Sequence, residues 1–290
     1  MKDIQWIILD VDGVIIGEKI GFNSPNPHPE VIAILQTIRR QGTGISLLTA
    51  KPHFGIKSII QEAHLDNIHI TDGGSVIIDP IDNVIAKKYV IDSQHAQQVL
   101  QICLTNNVYV EFYSVDNYYV QRVQVSDITQ KHKHILQQAP QTPISLAMQA
   151  STQEIVKIMP IALDEQDKKR VVSLLQPFHN KLEINWSIHP IALPLQFGII
   201  TPLGVSKSQG AKDISKIVGV SFDNTLAVGD STHDWQFINL CKYGATMGNA
   251  CKELKDLVRT KGDSYSYIGG DVDDNGALDI FDYFKLGVEE

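Results

Sequence analysis

Cysteine, signal-like segments and long apolar runs are all scarce in this chain, and each shortage excludes a class of protein. Its three cysteines, Cys103, Cys241 and Cys251, form no CxxC pair. A disulfide framework or zinc site is therefore not expected, and a reducing, cytoplasmic location is predicted. The first apolar stretch is too short for a signal peptide and ends in acid. No run approaches the roughly 18 apolar residues of a membrane span, so no membrane partner is expected.

Positive charge is also in deficit. The chain has 25 lysines and arginines against 33 aspartates and glutamates, a formal net charge of -8. General nucleic-acid binders carry a basic face, so no nucleic-acid partner is expected. A small anionic substrate is still compatible with this balance, because one metal ion or lysine can reverse the local charge. The sequence does not indicate an oligomeric state.

The first and last thirds of the chain alternate apolar strands with amphipathic helices. Strands are predicted at Ile4 to Leu9 and in "GISLLTA", "NIHITDGG", "TLAVGD" and "GATMG". Helices are predicted in "PEVIAILQTIRRQG", "KPHFGIKSIIQEAHL", "SKSQGAKDISKIVG" and "HDWQFINLC". Buried strands separated by helices of this length indicate βαβ units and a parallel, Rossmann-like sheet of the α/β class.

The middle of the chain has a different pattern. "VYVEFYSVDNYYVQRVQV" predicts two strands around a turn, "EIVKIMP" and "LEINWSI" predict two more, and helices are expected near 93–105, 126–138 and 164–176. Paired strands followed by helices indicate an antiparallel α+β unit. The sequence therefore predicts a core formed by residues 1–86 and 202–290, with residues 87–201 inserted as a cap.

Two acidic pairs directly follow predicted strands. Asp10 and Asp12 end the first strand, and Asp230 and Asp234 follow "TLAVG". Either pair alone could form a turn or cap a helix. Ends of neighbouring parallel strands meet in one crevice, however, and such a cluster of carboxylates would repel without a hard cation such as Mg²⁺.

Thr49 and Lys207 are candidate contacts for an anion. Thr49 ends the second strand, where its hydroxyl could donate, although threonine commonly ends strands. Lys207 is expected in the first turn of a helix, where the helix dipole disfavours a cation. A solvated surface lysine is the ordinary interpretation, and a lysine that neutralises phosphate is the alternative.

Four stretches in this order, "DVDGV", "LLTA", "SK" and "GDSTHD", resemble the haloacid dehalogenase superfamily of phosphatases. The insert resembles the type-2 cap of the Cof-type sugar phosphatases, and "MGNACKELK" is similar to that subfamily too. The resemblance implies a Mg²⁺-dependent phosphomonoesterase acting on a small phosphorylated metabolite, plausibly a sugar phosphate. It covers nearly the whole chain, and its specificity lies in the ordered set.

The same resemblance implies a role for each candidate residue. Asp10 would attack phosphorus to give an aspartyl-phosphate, and Asp12 would serve as general acid and then base. A like charge nearby is expected to raise the pKa of Asp12. Thr49 and Lys207 would hold phosphoryl oxygens. Mg²⁺ would be bound by four residues: Asp10, the backbone carbonyl of Asp12, Asp230 and Asp234.

The chain departs from the family pattern at three positions. Thr49 is followed by Ala50 and Lys51 where Gly-Arg is frequent, and His233 stands where asparagine is frequent. The first departure questions the substrate contacts near the cap, because lysine lacks the planar fork of arginine. Two alternative functions are compatible with the same motifs: a sugar phosphomutase, and a non-catalytic regulator switched by phosphorylation of Asp10.

Two further features have competing interpretations. Asp271 to Asp282, "DVDDNGALDIFD", matches an EF-hand calcium loop, but the preceding "GDSYSYIGG" cannot form the entering helix. An acidic loop before a last helix is the simpler interpretation. The aromatic residues of the insert's first hairpin are expected to pack inside the cap or to stack on substrate. They are Tyr109, Phe112, Tyr113, Tyr118 and Tyr119.

Overall fold

Two sheets of opposite character dominate the structure. The computed structural model describes residues 3–288, apart from the side chain of Pro190. Residues 1, 2, 289 and 290 of the predicted core lie outside this description. The strands, numbered in chain order, are β1 (Trp6–Leu9), β2 (Gly44–Leu47), β3 (His69–Thr71), β4 (Val76–Asp79), β5 (Val84–Lys88), β6 (Tyr109–Tyr113), β7 (Tyr118–Val120), β8 (Lys157–Ala162), β9 (Leu182–Ser187), β10 (Gln196–Pro202), β11 (Thr225–Gly229), β12 (Tyr243–Thr246) and β13 (Ser266–Ile268).

Helices cover both sheets. They are α1 (Pro29–Arg40), α2 (Lys57–Glu62), α3 (Ser93–Thr105), α4 (Asp127–Leu136), α5 (Leu146–Ala150), α6 (Glu165–Leu175), α7 (Lys207–Val218), α8 (Trp235–Ile238), α9 (Lys252–Arg259) and α10 (Ala277–Tyr283). None of those described is both long and apolar enough to cross a bilayer.

The first sheet is parallel throughout, with strands in the order β13, β12, β11, β1, β2. Strand β1, between β11 and β2, is buried on both faces, because Ile7 and Leu9 pack in one apolar cluster and Ile8 in another. Strands buried on both sides are expected to be continuously apolar, as "IIL" is. The predicted α/β class is confirmed, and β13 is an additional edge strand that the sequence reading missed.

The third predicted strand does not extend this parallel sheet as a regular strand. β3 forms a three-stranded antiparallel sheet with β4 and β5, and an isolated parallel bridge between Leu48 and Ile70 joins it to the parallel sheet. The chain reverses after β3 at Asp72 to Gly74, where Gly74 has φ +108° and a Cβ would lie 2.2 Å from the Ser206 carbonyl oxygen. The predicted glycine turn therefore makes a hairpin.

The second sheet is antiparallel, with strands in the order β7, β6, β8, β10, β9. One face packs against α3 and α6 through residues such as Leu100 and Val171. The other face carries Tyr113 and Phe197 and meets the partly buried Phe54. This matches the predicted antiparallel α+β insert in fold, while the boundary at residues 87–201 stays a prediction.

Of two helices near the site, one is shorter than predicted and the other begins where predicted. The helix predicted over "KPHFGIKSIIQEAHL" is reduced to α2, preceded by a 3₁₀ turn at His53–Gly55. Pro52 disfavours helical backbone at the residue before it, and Gly55 is a weak helix former. Helix α7 begins at Lys207 as predicted, capped by the Ser206 side chain, which accepts from the Gln209 N–H.

Candidate active site

The carboxyl ends of the central strands bring the predicted acids together. Leu9 of β1 lies beside Val228 of β11 in the parallel register. The chain then continues to Asp10 on one strand and to Asp230, one residue past Gly229, on the other. Because neighbouring parallel strands end at the same edge, both carboxylates enter one crevice.

Three carboxylates form the centre of this crevice. Ligand oxygens of Asp10, Asp230 and Asp234 all lie within 4.8 Å of one another. Asp10 and Asp234 are buried, and Asp230 is partly buried. Within residues 3–288 this is the only group of three or more histidine, cysteine or acidic side chains that could hold a metal ion. The carboxylate of Asp12, whose backbone carbonyl was the predicted ligand, is not in the group.

Lys207 lies between two of these acids. Its Nζ donates to Asp10 Oδ2 and, at 2.8 Å, to Asp234 Oδ1. The interpretation of Lys207 as a solvated surface lysine is therefore wrong. Burial would lower the pKa of Lys207, but Asp10 and Asp234 outweigh it and raise that pKa. Asp230 forms no ion pair with a described residue. Lys207 therefore contacts two of the three acids.

The pKa values of the three crowded acids are shifted in different directions. Burial raises the pKa of Asp10 well above its usual range, with Lys207 opposing and the other two acids adding to the rise. Burial and then Asp234 raise the pKa of Asp230 to about 7. Burial would also raise the pKa of Asp234, but Lys207 and the hydrogen bonds from Ser231 lower it. Negative charge is thus held least easily at Asp10 and Asp230.

Asp234 also fixes the loop that carries the second acidic pair. Its Oδ2 accepts from the N–H groups of Asp230 and Ser231, at 3.2 and 2.9 Å, and from the Ser231 hydroxyl at 2.8 Å. The carboxylate therefore closes the turn after β11 with one oxygen and contacts Lys207 with the other. The capping role considered from the sequence is therefore present, and the same residue belongs to the acid cluster.

Asp12 has partners of its own. Its Oδ1 accepts from Lys51 Nζ at 2.7 Å and lies 3.3 Å from His189 Nε2. Burial would raise the pKa of Asp12, but Lys51 and then His189 outweigh it and lower that pKa. The expectation that a like charge raises it is wrong, because two basic groups contact this carboxylate. Lys51, the position that departs from the family pattern, is thus engaged with Asp12.

Gly13 explains why a glycine follows the first acidic pair. It has φ +78°, a conformation that L-residues rarely adopt, and a Cβ there would lie 2.0 Å from Asp230 Oδ2. A side chain at this position would displace the neighbouring acid. Its carbonyl oxygen accepts from Asn249 Nδ2 at 2.9 Å, and Asn249 belongs to the "MGNACKELK" stretch singled out in the sequence.

Thr49 lies beside the acids, at the end of β2. Its hydroxyl oxygen accepts from the Lys51 N–H at 3.1 Å, and the side chain is buried. All six predicted site residues line one cavity of about 610 Å³. They are Asp10, Asp12, Thr49, Lys207, Asp230 and Asp234.

The antiparallel sheet supplies the opposite wall of the cavity. The lining there includes Tyr113, Lys157, His189 and Phe197. Lys157 Nζ crosses to the first segment of the chain, where it donates to the Ala50 carbonyl oxygen at 2.8 Å and lies 2.9 Å from Asp72 Oδ1. Sequence reasoning missed Lys157 and His189, because no local pattern marks contacts between distant segments.

In the acidic loop from Asp271 to Asp282, one carboxylate accepts from the loop itself and another from residues 18 and 23. Asp271 accepts from the Asp273 N–H at 2.9 Å, and Asp273 Oδ1 accepts from the Glu18 N–H at 2.9 Å and from Asn23 Nδ2 at 3.0 Å. Strand β13 and not a helix precedes the loop. These contacts support the interpretation as a structural loop before α10.

The hairpin aromatics are all buried, as packing residues are. Phe112 and Tyr119 stack with ring centroids 4.5 Å apart, and Tyr113 and Tyr118 with centroids 5.5 Å apart. Tyr113 alone of the five also lines the cavity. Packing inside the insert is therefore their main role.

Comparison with known proteins assigns the chain to a family. The model of the haloacid dehalogenase-like hydrolases matches residues 7–269. A phosphatase of Bacillus subtilis (strain 168), YwpJ, is 23% identical over 88% of this chain and 93% of its own length. The structure of a haloacid dehalogenase-like hydrolase from Bacteroides thetaiotaomicron superposes with a TM-score of 0.82 at 18% identity, covering 97% of this chain and 99% of that one.

A second solved structure belongs to a named subclass. The haloacid dehalogenase subclass IIB sugar phosphatase BT4131 superposes with a TM-score of 0.77 at 21% identity, covering 97% of this chain and 99% of that one. At such identity the likeness shows the fold. The family match covers most of the chain, so this protein belongs to the haloacid dehalogenase-like hydrolases. The predicted family and the predicted enzyme class, a phosphatase, are confirmed.

Proposed function

We propose that this haloacid dehalogenase-like hydrolase cleaves a small phosphate monoester through an aspartyl-phosphate at Asp10. The observation that carries the proposal is the position of Asp10, at the base of a cavity of about 610 Å³ and in contact with Lys207. A buried carboxylate beside a partly buried cation suits a nucleophile for a dianionic phosphoryl group, because the cation offsets the repulsion between them.

The two chemical steps divide between Asp10 and Asp12. In the first, an Asp10 oxygen bonds to phosphorus while the ester P–O bond breaks, and the leaving oxygen receives a proton from Asp12. In the second, a water oxygen bonds to phosphorus, the Asp10–phosphorus bond breaks, and Asp12 receives a water proton. The ionised form of Asp12 favoured by Lys51 and His189 suits the second step. Thr49 and Lys207 would hold phosphoryl oxygens.

Mg²⁺ is the proposed cofactor. The donor set fits it, since Asp10, Asp230 and Asp234 offer oxygens within 4.8 Å of one another and hard cations prefer oxygen ligands. Burial and then the neighbouring Asp234 raise the pKa of Asp230, and a bound cation would offset both effects. The Asp12 backbone carbonyl would complete the protein ligands. When bound, the ion would offset negative charge on the phosphoryl oxygens.

A sugar phosphate is the proposed substrate class, and residues 87–201 are the proposed cap. The subclass IIB sugar phosphatase with the same fold supports the substrate class. The cavity wall formed by Tyr113, Lys157 and Phe197 is mixed in character, with an aromatic face beside polar groups. Such a lining suits a ligand with a polyhydroxy ring, which has both apolar faces and polar edges.

The test is phosphate release from a panel of phosphate monoesters by the purified protein. We expect turnover of sugar phosphates with Mg²⁺ and none in EDTA, with Asp10→Asn as the inactive control. Full activity after exhaustive removal of metal would contradict the Mg²⁺ assignment. Conversion of one hexose phosphate isomer into another without phosphate release would indicate a phosphomutase, and phosphorylation of Asp10 without turnover would indicate a regulator.

Excision tests the proposed cap. Replacing residues 87–201 with a short linker should leave a folded core, provided that Asp72→Asn is introduced together with it, since the excision removes Lys157. The trimmed protein should lose discrimination among metabolites more than hydrolysis of a small activated ester. Complete unfolding would count against the boundary.

A further inference from the structure

One contact between the two sheets reaches the catalytic carboxylates directly. His189 follows β9 in the antiparallel region, yet its Nε2 lies 3.3 Å from Asp12 Oδ1. The His189 side chain is 11% exposed and lines the cavity. Because an ionised carboxylate oxygen only accepts hydrogen bonds, Nε2 is the atom that can donate in this contact.

Two side chains, from the core and from the antiparallel region, contact the same oxygen of Asp12. Lys51 Nζ donates to the same Oδ1 at 2.7 Å from the core side. Within residues 3–288, Asp12 Oδ2 has no hydrogen-bond or ion-pair partner. Two donors on Oδ1 fix the rotation of the carboxylate, and Oδ2 is left as the oxygen that can exchange a proton.

We propose that His189 is a positioning residue for Asp12, supplied by the inserted segment to the reaction that the core performs. The inference rests on the proposed phosphatase function. In the hydrolysis of the aspartyl-phosphate, the water oxygen bonds to phosphorus as the Asp10–phosphorus bond breaks, and the water proton passes to Asp12 Oδ2. His189 touches neither phosphorus nor water in this step. It holds Oδ2 at the angle from which the proton is received.

His53 provides a matched control. Its Nε2 lies 3.3 Å from Asp116 Oδ1, so it also joins the first segment of the chain to the antiparallel region at the same distance. His53 does not line the cavity. Loss of either histidine removes one histidine–aspartate contact between the same two regions, and only His189 involves Asp12.

The experiment compares His189→Leu, His189→Gln and His53→Leu for one unactivated and one activated phosphate ester. We expect His189→Leu to lower kcat about 10- to 100-fold, the range of a hydrogen bond to a charged group, with KM little changed. With the activated ester it should accumulate one phosphoryl group on Asp10, seen by intact mass. His189→Gln retains a donor and should recover most of the rate, and His53→Leu should resemble the wild type.

A double-mutant cycle tests whether His189 acts through Asp12 or only stabilises the surrounding structure. In an Asp12→Asn background, His189→Leu should cause no further loss, because both changes act through the same group. Additive losses, an equal loss in His53→Leu, an effect on KM alone or an unimpaired His189→Leu would each overturn the inference. A wild type that cleaves no ester would overturn the proposed function instead.

A spectroscopic readout tests the contact without turnover. In ¹⁵N-histidine spectra, Asp12→Asn should shift the ring signals of His189, assigned by their absence in His189→Gln, and leave those of His53 in place. Unchanged His189 signals would overturn the inference whatever the substrate proves to be.

Discussion

The acids at the edge of the parallel sheet are buried or partly buried, and Glu111 inside the antiparallel region is fully buried, but their partners differ. Glu111, fully buried on β6, accepts from the hydroxyls of Tyr109 and Tyr113 at 3.2 and 2.5 Å and lies 2.7 Å from His132 Nδ1. At the sheet edge, Asp230 forms no ion pair with any described residue, and its pKa rises to about 7.

We interpret the difference as one between acids that serve the fold and acids proposed to serve a ligand. A buried carboxylate is tolerated when hydrogen bonds and a basic group satisfy it, as for Glu111. Where the protein leaves the partners incomplete, the missing charge must come from outside. We therefore expect the number of partners, and not burial itself, to distinguish Asp230 from Glu111.

The largest effect should come from Asp10→Asn. The neutral amide is a poor nucleophile, so turnover should fall by a factor on the order of 10⁴–10⁶. Removing one of three crowded carboxylates should leave the midpoint of thermal unfolding unchanged or raised, because functional sites hold unfavourable charge. Rates and thermal unfolding measured on the same preparation test this. A lower midpoint would show that Asp10 stabilises the fold as Glu111 is expected to do.

Lys157→Met should have the largest effect on stability. It leaves Asp72, which is fully buried, without its basic partner. Breaking a buried pair from one side costs about 3–5 kcal/mol. Burial already raises the pKa of Asp72 and lowers that of Lys157, so Asp72→Asn combined with Lys157→Met should recover much of the loss. Urea unfolding of the wild type, Lys157→Met and the double variant measures both effects, and equal stability of the single and double variants would contradict the prediction.

The pH dependence of stability should reveal Asp230. Its pKa of about 7 lies above the unfolded value of 3.8, so between these values the native state binds more protons than the unfolded one. Stability from this group is therefore greatest at low pH and is lost as pH rises toward about 7. In EDTA, the unfolding midpoint of the wild type should fall over this range more steeply than that of Asp230→Asn.

Mg²⁺ supplies the complementary measurement. Because the cation binds ionised carboxylates, it should raise the unfolding midpoint more at pH 8 than at pH 5. The difference should shrink in Asp230→Asn. Identical shifts at both pH values would mean that this acid does not ligate the ion.

The smallest effect should come from an ion pair outside both regions. Arg259 and Asp256 are 2.8 Å apart on α9, with side chains 61% and 54% exposed. Exposed pairs at this spacing contribute little, so Arg259→Gln should change the free energy of unfolding by less than about 0.5 kcal/mol. Chemical denaturation provides the value, and a loss comparable to that of Lys157→Met would show that exposure is a poor guide here.

The local sequence pattern was sufficient to predict where the acids of the core lie. Asp10 and Asp230 each follow an apolar strand, and parallel neighbours end at one edge, so their meeting could be predicted without coordinates. Lys207 could be placed on the first turn of its helix, but its contacts with Asp10 and Asp234 depend on how α7 packs. The roles of these residues in catalysis stay predictions until the variants are measured.

Contacts between the sheets were beyond such reasoning. The pKa of Asp12 was expected to rise because only its acidic neighbours are visible in sequence, whereas Lys51 and His189 determine it. Short edge elements were missed for a related reason. Strands such as β13, with three residues, have too few positions to show a period of two.

Lys157 also bears on the timing of catalysis. It joins β8 to the Ala50 carbonyl and Asp72, immediately beside Thr49 and Lys51. If product leaves by separation of the insert from the core, these contacts must break on every cycle. Lys157 and Asp72 would then be separated charges without a partner until water reaches them. The energetic cost would therefore belong to the opening step and not to the closing step. For good substrates, release of the product, rather than bond cleavage, would set the maximal rate.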